Sequence, residues 1–127
     1  MKVVRIYDDA AGASHFEDLD IELLPTTYAP PAPPIDVSGS FPAQRAVLFE
    51  IPAGWYGDWH PTPRRQLYFN LGGYLEVEVA DGEVRRLGPG DIVLVEDLAG
   101  TGHVTRVVGD GPSSGVFVHL QEEGEAP

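Results

Sequence analysis

The sequence predicts an all-β domain, a sandwich or barrel of short antiparallel strands, on three observations. Segments rich in Val, Ile, Leu, Phe and Tyr recur at short intervals from Gln44 onward, and almost every one is bounded by Gly, Pro or Asp. No segment carries an apolar stripe at helical spacing with capping residues at its ends.

Taken in order, residues 2–7 (KVVRIY) read as a short strand, 8–18 (DDAAGASHFED) as a loop, and 19–24 (LDIELL) as a second strand. Residues 25–42 hold six prolines without helical periodicity and predict an extended, locally polyproline-like segment. Such a segment serves either as a rigid strap over the domain surface or as an arm reaching a second subunit. Strands then follow at 44–52 (QRAVLFEIP) and 65–71 (RQLYFNL). Residues 74–87 alternate with period two on both sides of Asp81-Gly82, a hairpin signal. Residues 89–97 (PGDIVLVED), 103–108 (HVTRVV) and 114–120 (SGVFVHL) complete the series. The chain divides into N-terminal strands and proline-rich strap (1–42), a main β unit (43–120) and an acidic C-terminal tail (121–127).

Composition excludes several functions. There is no cysteine, so no disulfide forms, and 20 Asp+Glu against 8 Lys+Arg give a net charge of -12. That charge repels phosphate backbones and anionic lipid, which argues against nucleic acid and membrane as partners. No apolar run approaches the ~20 residues needed to span a bilayer, and the N-terminus lacks a signal-peptide pattern. A soluble, cytoplasmic protein is expected.

The stretch GDWHPTPRRQLYFNLGG (57–73) and the later LGPGDIVLVEDLAGTGH (87–103) carry a resemblance. With Gly54 in front, Gly54, His60, Thr62, Gln66 and Gly73 fall on the five positions of a motif written G-x5-H-x-H-x3-E-x6-G. Gly90-Asp91 and His103 match a second motif, in which Val107 replaces the usual asparagine. In both motifs the chain resembles the cupin superfamily. The resemblance implies a double-stranded β-helix (jelly-roll) barrel with an extended N-terminal arm, and a pocket inside the barrel. Cupins also commonly pair, so a homodimer is expected.

Strand parity puts His60 and Thr62 on one face, with Asp58 joining them if the strand is regular, and puts Gln66, Tyr68 and Asn70 on one face of the next strand. The resemblance turns those faces inward, towards His103. Related sites hold a metal with three histidines and a glutamate. Here Thr62 and Gln66 stand at two of those positions, leaving His60 and His103, with Gln66 and Asp58 as the remaining candidate donors. Either one divalent transition metal (Fe, Ni, Zn or Cu) binds there, or the histidines form a metal-free polar pocket. His60, His103 and Tyr68 are the candidate catalytic residues. Gln66, Thr62, Asn70, Trp59, Arg64 and His119 are the candidates for binding substrate.

The remaining polar and aromatic residues have structural readings. His15 is expected in a surface loop, Trp55 in packing and Arg65 in a surface ion pair, while Glu96 and Asp97 are candidates for the pocket rim or else simply solvated. The function implied is a cupin acting on a small metabolite as an enzyme, through metal ligation or acid–base chemistry at His60 and His103. The other reading is a noncatalytic module that binds a metabolite or docks to a partner.

Overall fold

The computed structural model describes residues 1–122, so most of the tail expected at 121–127 lies outside the described residues. Twelve strands form: β1 (Lys2–Asp8), β2 (Ser14–Asp20), β3 (Leu24–Thr26), β4 (Ile35–Val37), β5 (Ala43–Ile51), β6 (Tyr56–His60), β7 (Gln66–Gly72), β8 (Tyr74–Glu78), β9 (Val84–Leu87), β10 (Ile92–Glu96), β11 (His103–Val108) and β12 (Ser113–Leu120). They build a six-stranded sheet in the order β2-β1-β10-β7-β12-β5 and a four-stranded sheet in the order β6-β11-β8-β9. A small β3-β4 ladder stands apart from both.

Burial follows the pleat where one sheet face is wet. In β8, Leu75 and Val77 are buried while Glu76 and Glu78 lie half-exposed and pair with Arg106. β10 sits inside the six-stranded sheet and buries both faces. Val93 and Val95 join Ile6, Tyr68, Leu75 and Val77 between the sheets, while Leu94 joins Val3, Leu67 and Leu120 on the outer face. Burying two faces explains why residues 92–95 form an unbroken apolar run. The Asp81-Gly82 hairpin forms as its alternation predicts, with Gly82 at φ +94° and Asp81 Oδ1 accepting from the Glu83 amide.

Four expectations need correction. No closed barrel forms among the described residues; the strands pair within two sheets, and β5 pairs only with β12 while β9 pairs only with β8. The first strand is no free arm, because β1 runs between β2 and β10, parallel to the latter. Residues 14–18, expected in a loop, belong to β2; the pairing with β1 in register from Lys2↔Asp20 to Asp8↔Ser14 overrides weak local propensity. The proline-rich segment contains a short hairpin, β3-β4, whose residues are mostly exposed, and only its flanks, Ile21 and Phe41, pack on the outer apolar cluster.

Candidate functional site

A cavity of about 340 Å³ opens between the two sheets. Its walls are Ile6, Val93, Val95 and Phe117 from the large sheet and Leu75 and Val77 from the small one. Its polar groups are contributed by His60, Thr62, Gln66, Tyr68, His103, Thr105 and His119. Trp55 and Pro63 also line it.

The two imidazoles meet because β6 and β11 pair with His60 directly opposite His103. Their ring centroids lie 4.9 Å apart. That pairing depends on Gly102, at φ +75°, where a Cβ would collide with the His60 carbonyl oxygen and the Pro61 nitrogen. Only glycine allows the two strands to approach so closely just before His103. The Gly102 carbonyl in turn accepts a 2.7 Å hydrogen bond from the buried Ser14 hydroxyl, which also accepts one from the Ala80 amide.

His103 is buried, and its Nδ1 lies 2.5 Å from Asp97 Oδ2. Asp97 is fully buried, at 0% exposure, and its Oδ1 has no hydrogen-bond partner. A carboxylate can only accept, so Nδ1 of His103 carries the proton and Nε2 is left as an acceptor when the ring is neutral. The same logic holds for His60, whose Nδ1 lies 2.6 Å from the Asp58 carbonyl oxygen. His60 is exposed, so the pair joins a buried imidazole to one at the mouth.

Asp97 is tied in place on both sides. Its carbonyl accepts from the Thr62 amide, and its neighbour Glu96 receives Arg5 at 2.6 Å and Arg65 at 2.5 Å. Burial pushes the Glu96 carboxyl up, but the hydrogen bonds from Arg65 and Arg5 outweigh it and hold Glu96 below the usual carboxylate range. Thr62 and Gln66 support each other: the Gln66 amide donates to Thr62 Oγ1 at 3.2 Å, and Thr62 donates to the Arg64 carbonyl.

Several residues expected in the pocket lie elsewhere. Between Gly57↔Thr105 and His60↔His103 the ladder shifts register, so β6 spends three steps where β11 spends two. The extra residue breaks the period-two parity. Gly57 is buried beneath the Trp55 ring and His60 lines the cavity, whereas Asp58 and Trp59 are exposed outside it. Asp58 therefore does not join the histidines as a third donor, and Trp59 does not contact the cavity. Arg64 turns away, donating to Gln44 Oε1 and the Leu120 carbonyl.

Asn70 is also absent from the cavity wall. It accepts from Tyr68 at 2.7 Å and from Ser113 at 3.1 Å, and donates to the Gly73 carbonyl, which makes it the closure of the β7–β8 turn. Tyr68 contributes its ring to the wall while its hydroxyl is committed to Asn70. Burial pushes that phenol up, so it remains a donor at neutral pH. His119 does line the cavity, with Nδ1 buried and without a partner.

Asp97, expected at the pocket rim or else simply solvated, is the group whose place sequence reasoning missed. Its only signal is an acidic residue directly after β10, the second of the Glu96-Asp97 pair that follows the apolar run, and solvated turn residues share that pattern. Thr105 was missed as well; it faces the cavity from opposite Gly57. His15, expected in a loop, sits in β2 between Asp9 at 2.7 Å and Asp81 at 2.8 Å.

The donor set does not fit a tight mononuclear metal centre. Three imidazoles line the cavity, those of His60, His103 and His119, but no group of three or more His, Cys, Asp or Glu side chains among the described residues is placed to hold an ion. Thr62 adds a neutral hydroxyl already donating to a carbonyl, and Gln66 a neutral amide, both poor donors to a divalent transition metal.

Comparison with known proteins adds the lineage. The chain resembles the cupin domain of Schizosaccharomyces pombe Cnp3 with a TM-score of 0.53 at 16% identity, over 87% of this chain and 74% of that one. At this identity the likeness speaks to the fold alone. Two further structures align less well: protein NMB1881 from Neisseria meningitidis (TM-score 0.45, 21% identity, 60% of this chain and 72% of that one) and SPY1581, a protein of unknown function from Streptococcus pyogenes (0.46, 23%, 62% and 70%). No curated protein matches. A model of the cupin domain matches residues 47–119, which include His60, Gln66, Asp97, His103 and His119. With more than half of the chain matched, both motifs inside the match and the cavity between its sheets, the chain belongs to the cupin family.

Proposed function

We propose that this cupin binds a small molecule between its sheets and catalyses proton transfer on it, with His103 as general base and Asp97 as the residue that positions it. The observation that carries this reading is the fully buried Asp97 carboxylate 2.5 Å from His103 Nδ1. Asp97 selects the tautomer in which Nε2 accepts, and stabilises the imidazolium formed when His103 takes a proton. His60, facing His103 across 4.9 Å at the mouth, supplies a second imidazole that returns the proton or passes it to water. Gln66 and His119 orient the ligand by hydrogen bonds. The fitting reaction class is removal of a proton next to a carbonyl, the step shared by many isomerisations and eliminations.

The experiment is hydrogen–deuterium exchange by NMR, with a panel of enolisable carbonyl compounds in D2O. Protein-dependent loss of the α-proton is expected. His103→Gln should reduce it about 100-fold or more, and Asp97→Asn about tenfold or more. Saturable binding without exchange in any compound would instead assign the fold a noncatalytic binding role.

We also propose that the chain works as a homodimer. β5 is an edge strand whose residues 43–48 are all exposed, Leu48 at 78%, and the preceding hairpin exposes Leu24 and Ile35. An unpaired apolar edge of this length is unusual on a protein that remains a monomer. Sedimentation equilibrium showing a monomer at micromolar concentration would reject the pairing.

A further inference from the structure

The charges of the chain limit what the cavity can hold. None of its eight Lys and Arg side chains lines the cavity. Arg5 and Arg65 are held by Glu96, Arg85 by Asp18 and Glu83, and Arg106 by Glu76 and Glu78. Arg64 is turned to Gln44 and the Leu120 carbonyl, and Arg86 lies over the Tyr74 ring. Lys2 and Arg45 are on exposed positions. An anionic ligand would therefore leave water for an apolar cavity without a permanent countercharge from Lys or Arg, inside a chain of net charge -12.

A cation fares no better. No Asp or Glu lines the cavity, and the nearest carboxylate to its polar groups, Asp97, is fully buried behind the His103 ring that it binds. The walls themselves are aliphatic and aromatic, and the polar groups that remain are hydroxyl, amide and imidazole groups. Among the lining residues is His119, whose Nδ1 is buried without a hydrogen-bond partner. The volume, about 340 Å³, lies at the small end of the ~300–1,000 Å³ typical of ligand pockets.

We infer that the cavity selects an uncharged, largely apolar molecule of about one ring in size, presenting a single weakly acidic hydrogen to the His60–His103 pair. The inference deepens the acid–base reading above and rests on it for the role of the acidic hydrogen. The selection against charge rests on the lining alone. Phosphorylated, carboxylated and ammonium-bearing metabolites are disfavoured as ligands, which sets this cavity apart from sites built around an arginine clamp.

The test is calorimetry near neutral pH with three probes of one skeleton: para-ethylphenol, para-ethylbenzoate and para-ethylbenzylammonium. The phenol should bind about tenfold or more tightly than either ion, because each ion loses hydration without gaining a partner. Val77→Arg, which places a cation in the wall, should reverse the order in favour of the benzoate. If that variant fails to fold, Val77→Lys at reduced temperature or the wild-type ranking alone decides the matter.

Equal or tighter binding of the benzoate to the wild type would overturn the inference, as would no detectable binding of the phenol. The two readings fail separately. If the phenol is preferred but no carbonyl compound exchanges its α-proton, the ligand class stands and the acid–base role falls. If exchange occurs only with charged compounds, the acid–base role stands and the ligand class falls.

Discussion

Replacing Ser14 by alanine removes one oxygen from a fully buried junction and leaves the local volume nearly unchanged. The hydroxyl donates to the Gly102 carbonyl at 2.7 Å and accepts from the Ala80 amide at 2.8 Å. Gly102 is buried, so its carbonyl would lose that partner at a cost of about 1–3 kcal/mol. Ala80 is exposed, so water can reach its amide and the second loss is smaller, about 0.5–1 kcal/mol. The sum, about 1.5–4 kcal/mol, is a large fraction of the ~5–15 kcal/mol stability of an ordinary domain.

Urea unfolding followed by tryptophan fluorescence measures it. The midpoint should fall by about 1–2 M with the slope unchanged, since the surface exposed on unfolding is the same. Because Gly102 precedes His103, the ring resonances of His60 and His103 should also move, while those of Tyr74 at the far end of β8 should not. A loss below about 0.5 kcal/mol would refute the reasoning, for it would mean that the Gly102 carbonyl finds another partner at no cost. A changed slope would refute it too, by showing that the substitution acts on the unfolded ensemble.

The His15 cluster should make stability depend on pH. Hydrogen bonds donated to Asp9 and then Asp81 raise the His15 pKa above its ordinary value near 6.5, while Asp9, chiefly through His15, and Asp81, chiefly through the Glu83 amide and then His15, are lowered below 3.8. A raised histidine contributes fully below about 6.5 and loses that contribution as pH rises through its folded value; lowered carboxylates contribute above about 3.8 and lose it as pH falls through theirs. The stability difference between wild type and His15→Gln should therefore be largest between about pH 4 and 6.5 and shrink at higher pH, and equal differences at pH 5.5 and 9 would contradict it. Thr62→His combined with Gln66→Glu places imidazole and carboxylate beside His60 and His103, so calorimetry should find nickel or zinc bound about 100-fold or more tightly than by the parent. A folded double variant with no gain would show that the four side chains do not converge. Leu120→Ala, at a fully buried site among Val3, Leu67 and Leu94, should cost about 2–5 kcal/mol, measured by the same urea titration; a loss under about 1 kcal/mol would mean that the outer cluster collapses around the gap.

Much of the fold can be read locally. The alternation of residues 74–79 places Leu75, Val77 and Val79 in the core, because the pleat alternates faces irrespective of what surrounds it, and across the Asp81-Gly82 turn Leu87 joins them opposite Leu75. The apolar run at 92–95 announces a strand covered on both faces. The spacings of the two motifs bring His60, Thr62, Gln66 and His103 to one cavity, as the structure places them. Parity fails at Asp58, since nothing in YGDWH distinguishes a regular strand from one with an extra residue.

What the sequence by itself determined is thus the class of fold, its turns and the side chains that share a face, because these follow from a two-residue backbone period and from glycine and proline chemistry. What only the tertiary structure decided is which of those side chains meet. The register shift in β6 exists because Gly57 and His60 must answer Thr105 and His103 on another strand. The depth of Asp97 and its approach to His103 depend on the Gly102 turn, which is tied to Ser14 across 88 residues of chain. Likewise β1 enters the sheet beside β10, a strand 90 residues later, and that pairing gives the cavity Ile6 as part of its wall. Such contacts are settled by the balance of burial and hydrogen bonding over the whole sandwich, and no local window of residues encodes that balance.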